Sequence, residues 1–177
     1  MDSREQLIEN MLILRCQMGD GDAWANLIER YQRPLRYFIH RLLDDRQASE
    51  DILQDVWLAV IGRIHGLRKP EAFSTWLYRI ARNKVYHQLR KKKVRAELNE
   101  NIRSPDENED DVVSLDDVAK VHRCLKQLRP EHKEVLMLRF LEHMSYQQIA
   151  EVLECNLGTV KSRVYYAKLA LKKELEK

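Results

Sequence analysis

A chain of 177 residues has room for one domain or two small ones, and an apolar share of 44% excludes disorder throughout. No apolar run approaches the roughly 18 residues of a membrane span, and the polar, acidic opening MDSREQLIEN lacks the apolar stretch of a secretory leader, so a cytoplasmic chain with no direct membrane insertion is expected. Net charge is +6 over residues 1–95, −8 over 96–117 and +5 over 118–177; two basic blocks around an acidic strip suit a polyanionic partner for each block, although a solvated surface of mixed charge would also accommodate values of this size.

The cysteines, Cys16, Cys124 and Cys155, are odd in number and widely spaced, which fits reduced structural thiols better than a disulfide framework. Only five glycines occur and no run alternates convincingly, so the chain reads as all-α. The first block predicts four helices. EQLIENMLILRCQM is the first, ended by GDGD, where glycine supplies turn dihedrals. DAWANLIERYQRPLRYFIHRLL is the second, with Pro34 expected to kink or break it. SEDILQDVWLAVIGRI is the third, with Ser49 as its expected cap and Glu50 and Asp51 in a favourable first turn. After a connecting loop, EAFSTWLYRIARNKVYHQLRKKK is the fourth, with Pro70 at its start. Four helices in about 90 residues make a small bundle.

Two faces of this bundle draw notice. On the third helix Ile52, Val56, Ala59 and Val60 form an inward stripe, leaving Asp51, Gln54, Asp55 and Leu58 outside it. Such a face could meet Arg or Lys of a partner, and it could equally be an ordinary solvated surface. On the fourth helix Phe73, Leu77, Ile80 and Ala81 pack inward, while Arg79, Arg82, Tyr86 and Arg90 recur on another face with Trp76, Tyr78 and Asn83 interleaved. Cations at the helix end also compensate its dipole, but the earlier mixture suits a strand with exposed bases: cations meet phosphates and rings stack on unpaired bases.

The acidic, proline-containing stretch NENIRSPDENEDDVVSLDD reads as a linker. Beyond it come four more helical segments. Val118 to Gln127 is the first, and Pro130 starts the second, which runs to about Phe140. Ser145 caps the third, with Gln148 placed for a capping box. The last is opened by Gly158 after the turn ECNL, with Val160, Val164, Ala167 and Leu171 inward. Its other face presents Ser162, Tyr165, Tyr166 and Leu169, with Lys161 at the edge. This is helix-turn-helix spacing, whose second helix fits a DNA major groove; a plain helical hairpin would leave the exposed tyrosines unexplained.

ASEDILQDVWLAVIGRI with FSTWLYRIARNKVYHQLRKKK resembles region 2 of bacterial sigma-70 family RNA polymerase sigma factors, and LRPEHKEVLMLRFLEHMSYQQIAEVLECNLGTVKSRVYYAKLAL resembles region 4. Nothing resembles regions 1.1 or 3, as in the compact extracytoplasmic-function (ECF) group. The resemblance implies two small helical domains, a region 2 bundle at 1–95 and a region 4 helix-turn-helix domain at 118–177, joined by an acidic linker at 96–117. It implies a transcription initiation factor that binds core RNA polymerase and directs it to −35 and −10 promoter DNA, assisting opening.

By the same resemblance Asp51, Gln54, Asp55, Trp57 and Leu58 match the polymerase-docking helix. His65, Arg68 and Lys69, with Trp76, Arg79, Arg82, Asn83, Tyr86 and Arg90, match the elements that capture and hold −10 DNA. Thr159, Lys161, Ser162, Arg163, Tyr165 and Tyr166 match the helix that enters the −35 groove. Many relatives carry Arg where this chain has Tyr166, which puts the contact there in question. Many are also restrained by an anti-sigma factor, a candidate partner here. No catalytic residue, metal or cofactor is implied. Two other classes compete. A metal-dependent nuclease would need a ligand pattern, and the sequence has no HExxH, CxxC or Walker element and only scattered histidines. A helix-turn-helix regulator acting without core polymerase would leave the first block without a role.

Overall fold

The computed structural model describes residues 3–98 and 116–176, so the reading of 99–115 as linker falls outside the described residues. Eight α-helices, and no strand, are present among them: α1 (Ser3–Gln17), α2 (Gly21–Leu43), α3 (Arg46–Arg63), α4 (Phe73–Leu98), α5 (Asp116–Gln127), α6 (Pro130–Leu136), α7 (Tyr146–Leu153) and α8 (Leu157–Leu175). Helix therefore takes up both ends of the stretch expected as linker, to Leu98 on one side and from Asp116 on the other. None of these helices is long and apolar enough to cross a membrane.

The first four helices pack around α2 and α4. Gly19 takes the left-handed dihedral (φ 83°) that separates α1 from α2, and Asp20 caps α2 by accepting the Ala23 N–H at 3.1 Å. Contrary to expectation, α2 runs through Pro34 without interruption. An interior proline costs about 3 kcal/mol, but the α2 stripe on both sides of it, Leu27, Tyr31, Leu35, Phe38 and Ile39, is buried. Each such side chain contributes roughly 1.5–3 kcal/mol, so the face outweighs the lost hydrogen bond.

The expected Ser49 cap of α3 is also corrected. Asp44 ends α2 in the left-handed region (φ 51°), and Asp45 caps α3 at once by accepting the Ala48 N–H at 3.0 Å. Ser49 lies inside the helix, buried, its hydroxyl donating to the Asp45 carbonyl one turn back. Pro70 opens a separate 3₁₀ turn, Pro70–Ala72, that leads into α4. Phe73 and Tyr78 of α4 meet Tyr31 and Phe38 of α2 edge-on, at centroid distances of 5.3 and 5.1 Å. Tyr78, expected among the outward aromatics, is thus a core residue.

In the second unit α6 runs into a π-helical turn, Met137–Leu141. Val135, Leu136, Met137 and Leu138 are all buried. α6 packs along α8, and α7 packs on both α8 and α4. With α2 also against α6, the two units lie in direct contact.

Candidate nucleic-acid interface

The α7–α8 pair has the expected helix-turn-helix form. Ser145 and Gln148 make a reciprocal capping box: the Ser145 hydroxyl accepts the Gln148 N–H at 3.2 Å and the Gln148 side chain accepts the Ser145 N–H at 2.9 Å. Ile149, Val152 and Leu153 seat α7 in the core. Glu154, left-handed (φ 53°), ends it. Asn156 then caps α8, its side-chain oxygen accepting from the Thr159 N–H at 2.8 Å and the Thr159 hydroxyl at 2.9 Å. The helix therefore starts at Leu157, a residue before the Gly158 that sequence suggested.

Val160, Val164 and Ala167 bury one side of α8. Lys161, Ser162, Tyr165 and Tyr166 are exposed on the other, Thr159 and Arg163 half-buried at its margins. Tyr165 and Tyr166 are 61% and 59% exposed and stack edge-on at 5.4 Å. Two large rings left in water beside a lysine and a hydroxyl make a surface suited to base edges and phosphates.

On α4, Arg79, Asn83 and Arg90 are exposed, and Trp76 is half-buried against Phe73. His65, Arg68 and Lys69 are exposed on the loop that leads toward it. The loop leads through the Pro70–Ala72 turn directly into α4, and the exposed residues of both segments are mostly basic. Arg82 and Tyr86 stand apart from that group. The Arg82 Nε donates to Glu134 of α6 at 2.7 Å, and the Tyr86 hydroxyl donates to the other oxygen of the same carboxylate at 3.4 Å. The Arg82 guanidinium also covers the Tyr86 ring at 4.6 Å. Burial pushes the Tyr86 hydroxyl up to about 12, with the Glu134 carboxylate beside it adding to the shift.

On α3, Asp51, Gln54, Asp55 and Leu58 are exposed together, as the period predicts. Asp55 lies 3.4 Å from Lys84 of α4. Trp57 is a correction. At 8% exposure it belongs to the core with Leu53, Val56 and Val60, because positions 53, 56, 57 and 60 share one helical face. It supports the acidic surface from beneath and is not part of it.

Sequence reasoning missed two features. One is Glu134, which was unremarkable in sequence because its partners lie some 50 positions earlier. The other is an apolar groove of about 350 Å³, lined by Val121 and Leu125 of α5, Met137 and Phe140 of the π turn, and Leu171 and Leu175 of α8, with Lys168 and Lys172 at its rim. Its only sequence signal is an excess of large apolar residues around Phe140 and Leu141 beyond what the inward stripe needs.

Comparison with known proteins bears on both units. Residues 27–95 match the family described as Sigma-70 region 2, and residues 119–171 match Sigma-70, region 4. The RNA polymerase sigma-H factor of Pseudomonas aeruginosa is 32% identical, covering 95% of this chain and 94% of its own. The ECF RNA polymerase sigma-E factor of Haemophilus influenzae is 31% identical, covering 97% of each. Among solved structures, the sigma factor RpoE of Bartonella quintana, held in complex with the anti-sigma factor NepR, superposes with a TM-score of 0.75 at 25% identity over 86% of this chain and 96% of that one. With two region matches in order and relatives aligned over nearly their full lengths, the chain belongs to the sigma-70 family of RNA polymerase sigma factors, in its extracytoplasmic-function group.

Proposed function

We infer that this chain initiates transcription by binding core RNA polymerase and directing it to promoter DNA, with no bond chemistry of its own. The observation that carries the DNA-reading half is the α8 surface: Lys161, Ser162, Tyr165 and Tyr166 stand exposed opposite a buried stripe, on a helix firmly capped at its start. In this reading α8 enters the −35 major groove, with Thr159 and Arg163 at its margins reaching phosphates. The loop residues His65, Arg68 and Lys69, with Trp76, Arg79, Asn83 and Arg90, hold the −10 strand once its bases are exposed, and Arg82 and Tyr86 join them when released from Glu134. Capture of extruded bases offsets the few kcal/mol that unstacking each one costs.

The acidic α3 face, Asp51, Gln54, Asp55 and Leu58, docks on polymerase, where opposite charge would speed encounter and fix orientation. The apolar groove between α5 and α8 is lined by aliphatic and aromatic side chains, with Lys168 and Lys172 its only charged lining residues. It suits an amphipathic helix of a protein partner, with acidic flanks facing Lys168 and Lys172. An anti-sigma factor is a further partner class, by analogy with the relative bound to one. Such a chain works in the cytoplasm, where polymerase and promoter are found. A regulator acting without polymerase is the weaker reading, because the relatives share the region 2 unit as well as the helix-turn-helix.

The deciding experiment is a titration of core polymerase with the purified chain, followed by transcription from a promoter that the resulting holoenzyme selects. Association and promoter-specific initiation are expected. DNA binding by the chain with no association to core would overturn the assignment.

A further inference from the structure

α1 carries none of the DNA-reading or polymerase-docking residues, yet its last residue reaches the loop between α3 and α4. The Gln17 side-chain nitrogen donates to the Ile64 carbonyl at 2.8 Å and to the Leu67 carbonyl at 2.9 Å. A carboxamide nitrogen has two hydrogens, and both are used. The Ile64 carbonyl also accepts the Leu67 N–H at 3.0 Å, which closes the 3₁₀ turn Ile64–Gly66. One side chain therefore ties the two ends of a single turn. His65 and Gly66 lie between the tied carbonyls, and Arg68 and Lys69 follow directly; all four are exposed.

The mount of Gln17 is firm. Positions 9, 13, 16 and 17 share one face of α1, and Glu9, Ile13 and Cys16 are buried on it. Glu9 accepts from the Tyr31 hydroxyl and pairs with Arg30, both of α2. Tyr31 in turn meets Phe73, the first residue of α4. The same part of α2 thus holds the post that ties the start of the loop and the helix into which the loop runs. The loop itself has fewer restraints: Leu67 and Lys69 are extended, and a Cβ at Gly66 would meet no neighbour. A neutral amide suits the tie, because an ionised carboxylate in its place would turn acceptors toward two carbonyl oxygens.

We propose that Gln17 is a positioning residue for −10 recognition: by holding the Ile64 and Leu67 carbonyls it fixes the turn that presents His65, Arg68 and Lys69, and so sets how selectively the loop retains an exposed base. This rests on the reading of that loop as a −10 contact. Binding groups discriminate between ligands only when the hydrogen bonds behind them hold their geometry. Gln17 supplies such bonds from a helix that does not itself meet the strand.

The test uses holoenzyme assembled from core polymerase and the full chain. The probe is a labelled single-stranded −10 oligonucleotide from a promoter that the wild-type holoenzyme selects, with each base varied in turn. Anisotropy reads affinity, and a fluorescent adenine analogue beside the captured base reads its extrusion. Gln17→Ala removes the tie, Gln17→Glu replaces two donors with acceptors, and Gln17→Lys restores donors. All three residues are good helix formers, so α1 is retained, and thermal melting verifies the fold.

Gln17→Ala should lower discrimination at the captured base by roughly two- to tenfold, the value of one neutral hydrogen bond, with a weakened extrusion signal. Gln17→Glu should lose at least as much, and Gln17→Lys should recover most of the wild-type ranking. Holoenzyme assembly and −35 duplex binding should not change. A uniform loss across the panel, with ranking and extrusion signal intact, would overturn the proposal and leave Gln17 a tie for stability alone. Wild-type ranking in Gln17→Glu would overturn it equally. His65→Ala and Arg68→Ala distinguish the failures: if they alter the ranking while Gln17 variants do not, the loop reads −10 DNA and only the role of Gln17 is wrong; if they too leave it unchanged, the reading of the loop is at fault and the proposal falls with it.

Discussion

Asn156→Ala isolates what the start of the recognition helix contributes. The side-chain oxygen of Asn156 accepts two hydrogen bonds, from the Thr159 N–H at 2.8 Å and the Thr159 hydroxyl at 2.9 Å. Loss of an N-cap costs about 1 kcal/mol. The hydroxyl bond is exposed and largely replaced by water, so it adds no more than about 0.5 kcal/mol. A loss of roughly 1–1.5 kcal/mol lowers the melting temperature by about 4–8 °C per kcal/mol if region 4 melts by itself, and by about half that if the whole chain melts as a unit. Frayed ends of α8 would also misplace Thr159, Lys161 and Ser162. A 1 kcal/mol ordering penalty on binding corresponds to about fivefold weaker −35 affinity.

Asn156→Asp separates stability from recognition. A carboxylate keeps the acceptor and suits the helix N-terminus, so melting should stay within about 0.5 kcal/mol of wild type. Beside duplex DNA the same charge meets phosphate, so −35 binding should weaken, and most at low salt, where screening is least. Scanning calorimetry and anisotropy with a −35 duplex at several salt concentrations are the assays. Wild-type melting of Asn156→Ala, or a salt response of Asn156→Asp identical to that of Asn156→Ala, would refute this account of the cap.

Reversing Asp51 and Asp55 to Lys should weaken association with core polymerase, while region 4 still binds its duplex element; unchanged holoenzyme assembly in a titration would remove the docking role of this α3 face. Asn83→Ala in holoenzyme should reduce promoter opening more than closed-complex formation, and a promoter pre-melted at −10 would separate lost unpairing from lost base capture. Arg163→Ala should weaken a panel of −35 variants about equally and lower the salt slope by roughly one, whereas Tyr166→Arg should reorder the panel, because arginine bonds bidentately to guanine. Alkylation tests the thiols: burial pushes Cys16 up to about 11, Asp20 adding to the shift. Only about one in a thousand Cys16 thiols is then ionised at pH 8, so the partly exposed Cys155 should react first in native protein and all three cysteines should react in denaturant.

Sequence alone determined what depends on neighbours within a few positions. The helical period fixed which sides of α3 and α8 face inward, because residues three and four apart share a face whatever surrounds them. The Ser145–Gln148 capping box is likewise local, closed within one turn. The region 2 and region 4 motifs were legible for the same reason, as compact runs of residues.

Tertiary structure decided everything that turned on competition between local preference and burial. Pro34 is a breaker by its own chemistry, yet the buried stripe of α2 carries the helix through it. Ser49 is a good cap in isolation, but the left-handed turn at Asp44 lets Asp45 start α3 a turn earlier. Trp57 and Tyr78 looked available as functional aromatics until the packing of α2, α3 and α4 enclosed them. Glu134 gave no local signal at all. Its meaning comes from Arg82 and Tyr86 on the other unit, since a buried charge is tolerable only where a partner of opposite charge meets it, and only the folded chain brings that partner within reach.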